Sequence, residues 1–148
     1  MPMARLLLQV LLLSSLVAVA EEPIYGRANG VIAKLEVLDS LGRSCGYQLS
    51  VKGAEGAQSE SCSKYLTNMR GPYFDSIGNE CIKLSNWYEE KRKFIAVNKS
   101  YPDTNPIEVK RLVRDMKAVN KACHPDSLES YEHLTKPLKK INALGSLK

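Results

Sequence analysis

Residues 78–91 read "GNECIKLSNWYEEK" and place a cysteine where the surrounding pattern calls for a large apolar side chain. Counted outward from Cys81, residues Phe74, Ile77, Leu84, Tyr88 and Ile95 fall at alternating steps of three and four, with Lys91 filling the one remaining place. That spacing marks one face of an amphipathic helix. Cys81 therefore lies on the inward stripe of a long helix and faces a partner element. The fold class follows: helices packed on helices and fastened where two of them come close.

The start of the chain bears on compartment. Arg5 supplies a positively charged opening, "LLLQVLLLSSLVAVA" an apolar stretch, and Ala18-Val19-Ala20 a small-x-small cleavage site. The apolar stretch is too short for a membrane anchor, and the flank after it carries Glu21, Glu22 and Pro23. Residues 1–20 are read as a signal peptide, and residues 21–148 as a single secreted helical domain with a modest core that crosslinks would support. No later segment is apolar enough for stable membrane insertion, and neither an internal repeat nor a low-complexity tract occurs. The sequon Asn98-Lys99-Ser100 falls in an expected turn and is a candidate glycosylation site.

All four cysteines, Cys45, Cys62, Cys81 and Cys123, follow the leader. An even number in an oxidising compartment argues for two disulfides, and the histidines His124 and His133 complete no zinc spacing with them, so neither metal nor cofactor is expected. In an antiparallel helix hairpin, residues equally far from the turn lie at the same level. Cys81 and Cys123 are nearly symmetric about Pro102, and Cys45 and Cys62 about Gly53. The competing scheme pairs Cys62 with Cys81 about Gly71-Pro72 and leaves Cys45 to meet Cys123. The first pairing is preferred, although spacing alone does not decide connectivity.

The expected architecture is all-α, a small disulfide-stapled bundle of four to five helices. Val31, Leu35, Leu38 and Cys45 share the face of a first helix that Gly42 and Gly46 weaken; after it Tyr47, Leu49 and Val51 alternate as a short strand also would. "GAEGAQSES" reads as a loose connection. A second helix carries Cys62, Tyr65 and Met69, and Gly71-Pro72 separates it from the long third one. The fourth has the clearest start, with Asn105 as cap, Pro106 in the first turn and Glu108 three residues after the cap; its core face is read as Val109, Leu112, Met116, Val119 and Cys123. A fifth begins after "HPDS", with Asp126 and Glu129 at cap spacing and Leu128, Tyr131, Leu134, Leu138 and Ile141 inside, and Pro137 should kink or split it. Its lysines oppose its apolar residues as in helices that lie on membranes, but Pro137 and Gly145 favour a packed terminal helix.

Charge offers the most regular surface feature. The chain carries a formal net charge of +5, and Lys110, Arg114, Lys117 and Lys121 recur at steps of four and three, widened by Arg111. Such a face is a candidate anion-binding site for a receptor, a sulfated glycan or an anionic lipid surface, against the plainer reading of a solvated helix surface. Nucleic acid is not expected, because no aromatics interleave with the basic residues. Tyr65, Trp87 and Tyr88 are candidate ligand-binding residues for an apolar small molecule, although aromatics at helical spacing also simply fill cores. "CHPDS" sets Cys123, His124 and Asp126 side by side, but Cys123 is better used in a disulfide, and the common hydrolase and metalloprotease motifs are missing, so no catalytic role is assigned. The function expected is that of a secreted binding or carrier protein. The alternative is a cytokine-like or effector ligand acting through the basic face.

Overall fold

The computed structural model describes residues 23–145. The signal peptide expected at residues 1–20 lies outside them. The elements run in order as α1 (Ile24–Lys52), a 3-10 turn (Gly53–Gln58), α2 (Glu60–Met69), α3 (Pro72–Asn98), α4 (Pro106–Cys123), α5 (Pro125–Glu129) and α6 (Glu132–Gly145). The molecule is an all-α bundle held by two disulfides.

The organising element is α1. Its buried residues are Ala28, Val31, Leu35, Leu38, Gly42, Cys45 and Leu49, an unbroken alternation of three and four, so one line of side chains faces the core along its whole length. Helices α2, α3, α4 and α6 all pack against it. The helical reading of residues 47–51 holds, and α1 runs to Lys52, where Gly53 ends it with φ 58°. The two glycines expected to weaken α1 do not interrupt it. A Cβ on Gly42 would collide with the backbone carbonyl of His133, so the missing side chain is what lets the α6 backbone lie against α1 here. Pro137 has no N–H to offer that carbonyl, and the absent side chain leaves room for it.

Local chemistry sets the remaining boundaries. Ser59 caps α2 by accepting a hydrogen bond from the Cys62 N–H, and Asn105 caps α4 by accepting one from the Ile107 N–H at 2.9 Å. Pro72 and Pro106 open α3 and α4, as the sequence suggests. The segment read as a loose connection is a 3-10 turn whose Gly56 is buried beside the carbonyl of Gln48.

Both preferred disulfides are present. Cys45 and Cys62 lie 4.4 Å apart at Cα, and Cys81 and Cys123 5.4 Å apart. Cys81 and Cys123 sit equally far from the connection between α3 and α4, each about 25 Å along its helix. The two cysteines are thus level in the α3–α4 hairpin, as their spacing about Pro102 predicts.

Two readings need correction. The segment after "HPDS" is two helices, because the chain turns at Ser130 and Tyr131. The cap of α5 is the His124 side chain, whose Nδ1 accepts from the Asp126 N–H, and the His133 N–H near the start of α6 donates to the Asp39 carboxylate of α1 at 2.9 Å. Pro137 lies buried inside α6 without splitting it. The second correction concerns α4, whose buried line is Asp115, Ala118, Val119 and Ala122. Val109, Leu112, Met116 and Cys123 are half-buried. Helix α4 is wedged against both α1 and α3, and its two alanines allow the close approach to α1 that larger residues would prevent.

Candidate functional site

Where α1, α3, α5 and α6 converge, an apolar cleft of about 340 Å³ opens beside the Cys81–Cys123 disulfide. Leu35 comes from α1; Phe74, Ile77 and Cys81 from α3; Leu128 from α5; and Leu134 from α6. Leu35, Ile77 and Leu134 are buried, whereas Leu128 is 37% exposed at the mouth. The polar residues of the wall are Glu129 and Thr135. The volume falls within the range of small-molecule sites, roughly 300–1,000 Å³.

Gly78 lies in the same wall, in the interior of α3, and a Cβ there would meet no atom within 4 Å. A glycine inside a helix costs about 1 kcal/mol relative to alanine. Neither a turn nor a close helix approach demands one at this position. Gly78 is exposed, so a side chain there would stand in open space at the edge of the cleft.

The three aromatics singled out in the sequence do not meet at one cavity. Tyr65 is fully buried, and its hydroxyl is threaded into the backbone of α6. It donates to the Leu134 carbonyl at 2.6 Å and accepts from the Leu138 N–H at 3.2 Å, standing between two groups that an uninterrupted helix would pair with each other. Burial raises the Tyr65 phenol pKa above its ordinary value of 10.0, partly offset by the Leu138 N–H. Because Leu134 and Thr135 belong to the cleft wall, Tyr65 positions that wall from behind. Trp87 is half-buried against the core. Tyr88 lines a separate depression of about 260 Å³ with Ile95, Tyr101, Val113 and Met116.

Four of the basic residues do share one groove. Lys110, Arg114, Lys117 and Lys121 line a groove of about 460 Å³ between α4 and α1, with Tyr25, Asn29 and Ile32 on the α1 side. With the buried line of α4 at Asp115, Ala118 and Ala122, these cations border the contact with α1. Arg114 donates from Nε and Nη2 to the buried Asp115 at 3.0 and 2.8 Å, and its guanidinium stacks 4.3 Å from the centre of the Tyr25 ring. Arg111 is outside the groove lining and pairs with Glu108 at 3.1 Å. Lys110, Lys117 and Lys121 have no ion pair among the described residues.

Asn98 is exposed at the C-terminal end of α3, before Lys99 with φ 49°. Cys123 is committed to its disulfide and the His124 imidazole to its cap, so these neighbours form no nucleophile and base pair. Among the described residues no group of three or more His, Cys, Asp or Glu side chains is gathered to hold a metal, and no helix is long and apolar enough to cross a membrane. Two disulfides point to an oxidising compartment. Comparison with protein-family models, with curated proteins and with solved structures finds no match to the chain.

Proposed function

We propose that this protein is a secreted carrier that binds one small, largely apolar molecule in the cleft between α1, α3, α5 and α6. One observation carries the reading: every contributing helix places an apolar side chain in the cleft wall, with Glu129 and Thr135 as its polar side chains and Gly78 at its open edge. The ligand has an apolar body with a hydroxyl or amine end, matched to Glu129 and Thr135 at the wall. The leader at residues 1–20 delivers the chain to the secretory pathway, the disulfides form there, and Asn98 receives its glycan. The carrier is not an enzyme and uses no cofactor.

Gly78→Leu tests this, because the added side chain enters open space and replaces a poor helix former with a good one. The folded variant should be at least as stable as the wild type. It should also lose roughly tenfold or more in affinity for a fluorescent long-chain alcohol or amine probe that the wild type binds saturably. Equal binding by the two proteins would show that the probe does not occupy the cleft, and no saturable binding to the wild type would remove the carrier reading.

A further inference from the structure

The α4 groove is a second, separate surface, and its chemistry differs from that of the apolar cleft. Of the five cations on this side of α4, Arg111 and Arg114 are already neutralised, the first by Glu108 and the second by Asp115. Lys110, Lys117 and Lys121 keep their charge available, all three exposed. They follow one another along the helix over roughly 16 Å, a line rather than a cluster. A single phosphate needs several donors aimed at one point, whereas a line of separated charges matches an extended chain that bears an anion at intervals.

Other polyanions fit less well. Helices that dock on anionic membranes press exposed apolar residues into the lipid, but here the apolar residues beside the lysines, Ile32, Val113 and Ala118, are buried or half-buried between two helices. A nucleic acid strand needs successive open aromatic faces for stacking, and the groove has one aromatic, Tyr25, with one of its faces taken by Arg114. Asn29 faces the groove with no side-chain hydrogen bond among the described residues, so its amide is free to bond a sugar hydroxyl. From this arrangement we infer that the α1–α4 groove binds a linear sulfated polysaccharide, with sulfates on Lys110, Lys117 and Lys121 and a sugar hydroxyl on Asn29. Arg114 acts as a wall of the groove, fixed between Tyr25 and Asp115, rather than as a sulfate ligand.

The test uses the full secreted protein and size-fractionated heparin oligosaccharides. Affinity should rise with oligosaccharide length until the chain spans about 16 Å and should then level off. Three exposed ion pairs, each worth a few-fold, multiply to roughly thirtyfold, so Lys110→Gln/Lys117→Gln/Lys121→Gln should weaken binding by about that factor with helix content unchanged. A control, Lys52→Gln/Lys93→Gln/Lys139→Gln, removes the same charge elsewhere and should lose only a small part of it, and Arg111→Gln should bind nearly as the wild type does. Inorganic sulfate and phosphatidylserine vesicles should compete poorly. Equal losses in the two triple variants, full competition by inorganic sulfate, or preference for the vesicles would each overturn the proposal.

Discussion

Tyr65 shows how one side chain both fills the core and holds another element in place. Its ring is wholly buried, and its hydroxyl bridges the Leu134 carbonyl and the Leu138 N–H of α6. Tyr65→Phe keeps the ring and deletes the bridge. Because the two backbone groups can re-pair once the hydroxyl is gone, the expected loss is about 1 kcal/mol rather than the full penalty of two orphaned groups. Denaturant titration measures it. The same hydroxyl makes the fold sensitive to alkali. With the folded pKa raised above 10.0, the folded state holds the proton more tightly than the unfolded chain does. The corresponding stability is fully present below pH 10.0 and is lost as pH rises through the raised folded value. Burial, then Glu36 and Asp39, push the Tyr131 phenol in the same direction. Tyr65→Phe should therefore lose less stability between neutral and strongly alkaline pH than the wild type. A parallel decline in the two proteins would contradict the role assigned to this hydroxyl.

At the scale of elements, the two staples close loops of different length. The Cys45–Cys62 separation is 17 residues and the Cys81–Cys123 separation 42. On loop-entropy grounds the first is worth about 3 kcal/mol and the second about 4 kcal/mol. Replacing Cys81 and Cys123 by alanine should thus destabilise the protein more than replacing Cys45 and Cys62, and it should also loosen the cleft that the α3–α4 disulfide borders. Thermal unfolding of the two double variants decides this; the reverse order would show that native packing outweighs chain entropy here. These hairpins were legible in the sequence because periodicity, the Asn105-Pro106 start and the level placement of cysteines all act over short distances along the chain. The close contact of α4 with α1 was not, since Ala118, Ala122 and Asp115 look like surface residues until a neighbouring helix covers them. Gly42 was misread for the same reason: its value lies in the approach of His133, which is distant in sequence. The cleft was hidden too. Phe74, Ile77 and Cys81 were on the expected inward stripe, but the turn at Ser130 and Tyr131, which separates α5 from α6, gave no signal strong enough to reveal a space between them.

Across the whole molecule, α1 supplies the continuous apolar line, and the two stapled hairpins fix how the other helices lie against it. This arrangement leaves two unlike surfaces: a small apolar cleft walled by five helices, α4 through Cys123, and a cationic groove along α4. Stable helices around an apolar space suit a carrier, because the protein does not have to order itself when the ligand arrives. A carrier of the proposed kind leaves its source with a natural ligand in the cleft. Native mass spectrometry of the protein purified under non-denaturing conditions from its source tests it most directly. The predicted result is a population heavier than the disulfide-bonded, glycan-corrected chain by the mass of one small molecule, extractable into organic solvent and missing from Gly78→Leu prepared in the same way. A wild-type protein that carries no such mass, or one whose bound molecule persists in Gly78→Leu, would contradict it.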